Sequence, residues 1–355
     1  MRSYLPAMAD SSARPKLYAC ADSFLDPVLS NSWLAVATSD DVAEDALVPV
    51  TLMGVDLVLW RDSAGAVHAW EDFCIHRGVK LSLGHVADDK VVCPYHAWNY
   101  DGTGRCTLIP AHPDLNPPER ARANVLPVTE RYGLVWTSLG TPEGEPPRIV
   151  CWEDEEVFSN RALCGPYVFE AAAQRAVENF VDPSHLGVVH DGLLGSKDWV
   201  RMRPYEVIET EEGLYAPDIE IDFPVPKEGF AISLVSFNRR IPHPLTAQVE
   251  VLREDLPYTV WITCCPVGPR RSIAWIWILT EEGLPAEEHR ALEDKILAQD
   301  IEVVNSQRPE WLPLDLQAEL HVGSDRIGVA YRNWLKKLGV VYGTDRAPSF
   351  EREDA

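Results

Sequence analysis

Two short segments gather soft and borderline metal donors at close spacing. Cys74-Ile75-His76-Arg77-Gly78 is followed, after a polar excursion, by Cys93-Pro94-Tyr95-His96-Ala97-Trp98. Cys74 and His76 make a C-x-H hook, and Cys93 and His96 a C-x-x-H hook, with sixteen residues between the two. Thiolates and imidazoles in equal number suit a [2Fe–2S] cluster held by two sulfurs on one iron and two nitrogens on the other. Folding the hooks together supplies each iron with a matched pair. A structural zinc site is the competing use of two Cys and two His, but zinc fingers group like ligands as C-x2-4-C and H-x3-5-H. Here the types alternate, and one intervening residue is tight for chelating a single tetrahedral ion, which favours the cluster.

A second donor group lies at Asn179-Phe-Val-Asp182-Pro-Ser-His185-Leu-Gly-Val-Val-His190. On a regular helix, residues five apart diverge by roughly 140°, so both imidazoles converge only if the helix breaks. Gly187 is the expected break, and Asp182-Pro183 reads as an N-cap with proline at the first helical position. Two imidazoles and one carboxylate with open positions form the facial triad of non-haem Fe(II) sites. The carboxylate must come from elsewhere. Asp300, in Gln299-Asp300-Ile301-Glu302, is the expected third ligand; by chemistry alone Asp294, Glu302 and Glu293 are rivals.

These residues need a scaffold. From Trp33 to Trp60 the chain runs in short apolar stretches broken by polar and Pro signals, and Ala66 to Trp70, Val91 to Cys93 and Tyr132 to Trp136 continue the pattern. This predicts a small all-β domain with both hooks on hairpin loops and a turn at Asp101-Gly102. The stretch Thr141 to Pro147 is a composition break. The expected organisation is an N-terminal extension over 1–28, a cluster domain over 29–150 and a second domain over 151–355. Within the second domain, Glu170 to His190 reads as helical and Glu287 to Ser306 as a long helix, with Leu292, Ile296, Ile301 and Val304 along one stripe. Strands are expected over Ala231 to Phe237, Ala247 to Leu252, Tyr258 to Cys264 and Ser272 to Thr280. The overall class is α+β. Phe223, Phe237, Trp261, Trp275 and Trp277 are candidates to line a pocket, and Arg332, Lys336 and Lys337 to form a docking face.

A chain of 355 residues has room for about two cores. Its 46% hydrophobic and 25% charged residues are ordinary for a globular protein, and the net charge of −23 disfavours nucleic acid and anionic membrane as partners. No run approaches the ~20 apolar residues of a membrane helix, and residues 1–15 lack the apolar core of a secretory signal. Of eight cysteines, the six outside the hooks read as reduced packing residues, which implies a cytoplasmic setting.

Taken together, C-I-H-R-G with C-P-Y-H-A-W and D-x-x-H-x-x-x-x-H resemble the oxygenase component of Rieske non-haem iron oxygenases. The usual box reads C-P-H-R-G and C-P-Y-H-G-W, so Ile75 and Ala97 depart from it. Ile109 to Pro113, Glu130 to Trp136 and Ser324 to Leu335 resemble the branch with saxitoxin-pathway hydroxylases, with O- and N-demethylases as wider relatives. The resemblance implies a helix-grip catalytic domain, a curved antiparallel sheet around a long C-terminal helix. It implies Cys74, His76, Cys93 and His96 on the cluster, and His185, His190 and Asp300 on mononuclear Fe(II). It assigns Asp182 as a bridging carboxylate that reaches a cluster histidine of a neighbouring subunit in a homotrimer, with Asn179 as a polar neighbour. The expected reaction is hydroxylation of a C–H bond of a small organic substrate with O2. Beside a nitrogen or oxygen atom, that hydroxylation becomes N- or O-demethylation with loss of formaldehyde. No nicotinamide or flavin fingerprint is present, so electrons are expected from a separate NAD(P)H-dependent reductase or a ferredoxin. A Rieske electron carrier with a ligand-binding domain is the non-enzymatic alternative, and it has no need of His185, His190 and Asp300.

Overall fold

The computed structural model describes residues 26–225, 231–251, 258–281 and 285–347. Cys20, Leu252 and most of the expected N-terminal extension lie outside them. The first part of the chain is built from short strands: β1 (Leu34–Thr38), β2 (Val48–Leu52), β3 (Val55–Arg61) and β4 (Val67–Glu71), then β5 (His85–Ala87), β6 (Lys90–Val92), β7 (Asn99–Asp101) and β8 (Cys106–Leu108), then β9 (Val125–Leu126), β10 (Val128–Arg131) and β11 (Leu134–Thr137). They form three antiparallel sheets in the orders β1-β11-β10, β2-β3-β4-β9 and β5-β6-β7-β8.

Both Cys-His hooks are loops closed by their own backbone. Cys74 O accepts from Gly78 N at 2.8 Å, and Cys93 O accepts from Ala97 N at 3.0 Å. In each, the residue four after the cysteine is left-handed, Gly78 at φ 73° and Ala97 at φ 52°. That conformation explains why glycine is usual at the second position, since a Cβ there meets the following carbonyl. Ala97→Gly should therefore stabilise the protein by about 1 kcal/mol, read as a raised denaturation midpoint with an unchanged cluster spectrum. The second hook spans the β6–β7 hairpin as expected. The first does not sit on a hairpin: it carries the chain from β4 in one sheet to β5 in another. The Asp101 turn forms as expected, its carboxylate accepting from the backbone amides of Thr103 and Arg105.

The second part comprises β12 (Asn160–Phe169), α1 (Ala173–Val181), α2 (Leu186–Val189), β13 (Ile208–Thr210), β14 (Gly213–Val225), β15 (Ala231–His243), β16 (Thr246–Val251), β17 (Tyr258–Gly268), β18 (Arg271–Thr280), α3 (Ala286–Ser306) and α4 (Arg326–Leu338). Seven strands make one antiparallel sheet in the order β12-β18-β17-β16-β15-β14-β13. Alternation on β17 sorts the two faces. Val260 and Ile262 face a cavity, whereas Trp261 packs towards Tyr132 and Trp136 of the first part. Trp277 lies opposite Trp261 in register, stacks edge-on against Trp152 and donates its indole N–H to Tyr132 O at 2.9 Å. Trp261, Trp275 and Trp277 thus belong to the hydrophobic core rather than to the cavity wall, the commoner use of aromatics on such strands. Each buried tryptophan removes roughly 150–250 Å² from water, so this face anchors the sheet against the cluster-bearing part.

The helix expected over Glu170 to His190 is two helices. α1 ends at Val181, with Asp182 as its C-cap, because Pro183 cannot continue the hydrogen-bond ladder. Asp182 is therefore a C-cap and not an N-cap, and the break comes at Asp182-Pro183 rather than at Gly187. Gly187 lies inside α2, where a Cβ would meet Ser196 O at 2.9 Å; glycine there lets the following turn pack against the helix.

An ion-pair network locks α1 to α4. Arg332 donates to both carboxylate oxygens of Glu178, at 2.6 and 2.8 Å, and to Glu319 at 2.5 Å. Arg175 reaches Glu319 at 2.7 Å. The Arg332 side chain is only 3% exposed, so it is no part of a docking face. Arg332→Ala should lower stability by about 3 kcal/mol or more, measured by denaturant unfolding, because Glu178 and Glu319 then share one buried cation.

Candidate metal centres and active site

The Cys74 and Cys93 thiols are both buried. The Cys74 thiol is held below its ordinary range, first by Cys93, against burial, and further by Tyr100 and the backbone amides of His76 and Arg77. Tyr100 Oη lies 3.2 Å from Cys74 Sγ. At the outer rim, His76 Nδ1 and His96 Nδ1 approach to 3.1 Å. Two sulfurs in the buried floor and two like ring nitrogens at the surface match the donor set of a [2Fe–2S] cluster with unlike irons. Trp98 stacks on His76 at 4.4 Å between ring centroids, while Tyr95 is exposed beside His96.

The second site forms where the α1–α2 break meets α3. The inward face of α3 carries His289, Glu293, Ile296, Leu297, Asp300 and Val304, so two carboxylates occupy a stripe that periodicity reserves for apolar side chains. His185, His190 and Asp300 converge, each offering one atom within 4.8 Å of the others. Asp300 Oδ1 is 3.2 Å from His190 Nε2 and 3.5 Å from His185 Nε2. The rivals fall elsewhere: Asp294 accepts the Tyr167 hydroxyl at 2.8 Å, Glu302 is exposed, and Glu293 lines a cavity wall.

The far sides of both rings are assigned. His190 Nδ1–H donates to Gln299 Oε1 at 2.9 Å. His185 Nδ1 faces Asp182 Oδ2 at 3.5 Å, an ion-pair distance without hydrogen-bond geometry. With Nδ1 protonated, each ring turns its Nε2 lone pair towards the Asp300 carboxylate. Three acceptors converging on one point repel unless a cation sits among them, and the buried His190 Nε2 makes no hydrogen bond of its own. The donor set fits Fe(II) with positions left open. Gln299 was not anticipated as a partner of His190; the signal was that a ligating imidazole needs an acceptor for its other N–H.

Asp182 and Asn179 complete the surroundings. Asp182 Oδ1 accepts the Ser184 amide at 2.9 Å and hydroxyl at 2.7 Å. Burial opposes its charge, yet His185 and Ser184 hold its carboxyl below the usual range. Asn179 Nδ2 donates to Asp300 Oδ1 at 3.3 Å.

Residues 32–119 match the Rieske [2Fe-2S] domain family and residues 169–340 the vanillate O-demethylase oxygenase C-terminal domain family. The methylxanthine N3-demethylase NdmB of Pseudomonas putida is 30% identical over 82% of this chain and 82% of its own length. The chain belongs to the Rieske non-haem iron oxygenases. The solved structure of NdmA of Pseudomonas putida with caffeine superimposes on the oxygenase with a TM-score of 0.77 at 27% identity, over 88% of this chain and 91% of that one. A shorter match, 46% identical over 34% of this chain, is to the oxidoreductase NdmD of Pseudomonas putida, of which the chain spans only 21%. The family uses mononuclear iron and O2 besides the cluster. Among the described residues of the oxygenase, no helix is long and apolar enough to cross a membrane.

Beside the three converging side chains the oxygenase has a cavity that opens to solvent. Its walls are largely apolar, with Phe223 and Phe237 in edge-on contact at 5.4 Å between centroids. Of the aromatics singled out from sequence, these two face the cavity. Arg239 is buried there with its guanidinium 5.8 Å from the Phe237 ring centre. Burial pulls its pKa down to about 10, against the pull of Asp182 and Tyr205.

Proposed function

We propose that the protein hydroxylates a C–H bond of a small organic compound held in the cavity beside His185, His190 and Asp300. Convergence of those three donors on one wall of an apolar cavity is the observation that carries this reading. An iron bound there supplies oxygen activation, with electrons from the cluster held by Cys74, His76, Cys93 and His96. Asp300 contributes the anionic ligand, and Asn179 orients it. Gln299 and Asp182 fix the two imidazoles with Nε2 inward. The largely apolar walls suit an uncharged organic surface.

The Asp182 carboxylate is one-third exposed, and within the chain its hydrogen bonds among the described residues go to Ser184. That exposure supports the role of a bridge to the surface-facing His96 of a neighbouring subunit, and so a homotrimer. Electrons enter from a separate reductase or ferredoxin. We place the boundary between cluster domain and catalytic domain near residue 150.

Oxidative demethylation is the second reading, favoured by the named activities of NdmA and NdmB. Hydroxylation of a methyl carbon on nitrogen or oxygen gives a species that collapses to formaldehyde, so one site serves both. The test feeds N-methyl, O-methyl and alkaloid compounds to the iron-loaded protein with a surrogate reductase. Formaldehyde in step with substrate loss identifies demethylation, and a product gaining one oxygen identifies hydroxylation. About three irons per chain are expected; two irons and no product would reduce the protein to an electron carrier.

A further inference from the structure

One carboxyl in the cavity wall is not used by the ligand set. Glu293 lies on α3 seven residues before Asp300, two turns away and on the same face, and is 5% exposed. It lines the cavity with Tyr258, Ile296 and Leu297. Among the described residues it has no hydrogen-bond donor and no ion-pair partner. The charges that reach it are those of Asp300, His190 and Asp294; burial, reinforced by the two carboxylates, pushes its carboxyl up to about 8. Asp294 is answered by Tyr167, and Asp300 by Asn179 and the imidazoles. Glu293 alone of the three is left without a donor. A buried carboxyl in that state destabilises the empty protein, and glutamine or leucine would fill the same space at less cost.

We propose that Glu293 is a specificity-determining residue that accepts an N–H hydrogen bond from a nitrogenous substrate, an amine, an amidinium or a ring N–H. The proposal rests on the oxygenase reading and narrows its substrate class. Glu293 and Asp300 are about 10 Å apart along the helix axis, so a compound of one or two rings held by nitrogen at Glu293 can turn its far edge to the three ligands. A methyl or methylene on that edge is then the C–H bond presented for oxidation.

Matched probes test this: theobromine against caffeine, which lacks its N–H, and tetrahydroisoquinoline against tetrahydronaphthalene. Binding to the iron-loaded enzyme is measured by calorimetry for the natural chain, Glu293→Gln and Glu293→Leu. At least one N–H-bearing probe should bind about tenfold or more tighter than its partner. Glu293→Gln should weaken that preference and Glu293→Leu abolish it, with about three irons per chain retained. No preference in the natural chain, or a preference that survives in Glu293→Leu, overturns the proposal. So does failure of both variants to fold and load iron, which would make Glu293 structural. Iron content separates the two levels: three irons without preference removes Glu293's role alone, whereas two irons in the natural chain removes the oxygenase reading itself.

Discussion

Asp300→Ala should leave a coloured protein that turns over nothing. The four cluster donors sit on loops closed within five or six residues, far along the chain from α3, so the visible spectrum and the signal of the reduced cluster should match the natural chain. The second site should not survive. Asp300 is the proposed anionic ligand, nine-tenths buried, and the meeting point of His185 Nε2, His190 Nε2 and Asn179 Nδ2. Without the carboxylate, two neutral imidazoles remain at the end of an apolar cavity, a poor home for a divalent ion. Iron should fall from about three to about two per chain, and product should drop below detection. Stability without iron should hold or rise, since the loss relieves Glu293 of a neighbouring negative charge. Iron analysis, the spectrum and a product assay on one preparation check all three. Retention of the third iron with normal turnover would return the choice of ligand to Glu293.

Asp182→Asn should do the opposite to the metals and nearly the same to the reaction. Asparagine keeps the shape of the C-cap and an oxygen for the Ser184 amide and hydroxyl, so α1 should end where it does now. What disappears is the negative charge facing His185 Nδ1 at 3.5 Å. That charge fixes the tautomer of the ring and stabilises positive charge on it, and outer partners of this kind are typically worth 10–100-fold. If the same carboxylate also bridges to a neighbouring cluster, the loss should lie at or beyond the upper end, about a hundredfold or more. Three irons per chain, an unchanged spectrum and a collapse in steady-state product formation are the expected set. Turnover close to that of the natural chain would remove Asp182 from the route between the centres.

The cluster hooks were legible from the chain alone because every decision in them is local. C-x-H and C-x-x-H set donor spacing, and a left-handed residue four after each cysteine closes the loop. Even the departure at Ala97 has a local meaning, visible as a positive φ. The pair His185 and His190 was legible for a similar reason: five residues cannot share a helix face, so a break had to lie near them. Where it lay depended on a competition between Pro183 and Gly187, which proline's missing N–H wins.

The third ligand was a different problem. Asp294, Glu293, Glu302 and Asp300 stand on one helix, and helical period alone puts both Glu293 and Asp300 inward, seven residues and two full turns apart. Telling them apart needs the histidines, which arrive from a segment more than a hundred residues earlier and meet the helix at one level only. The tryptophans of β17 and β18 pose the same difficulty: alternation separates two faces of a strand but does not say which looks onto the cavity and which onto the cluster-bearing part. Donor chemistry and loop closure were thus written in neighbouring residues, whereas the choice among equivalent carboxylates and faces was made by packing between distant elements, because only contact distinguishes side chains that share type and period.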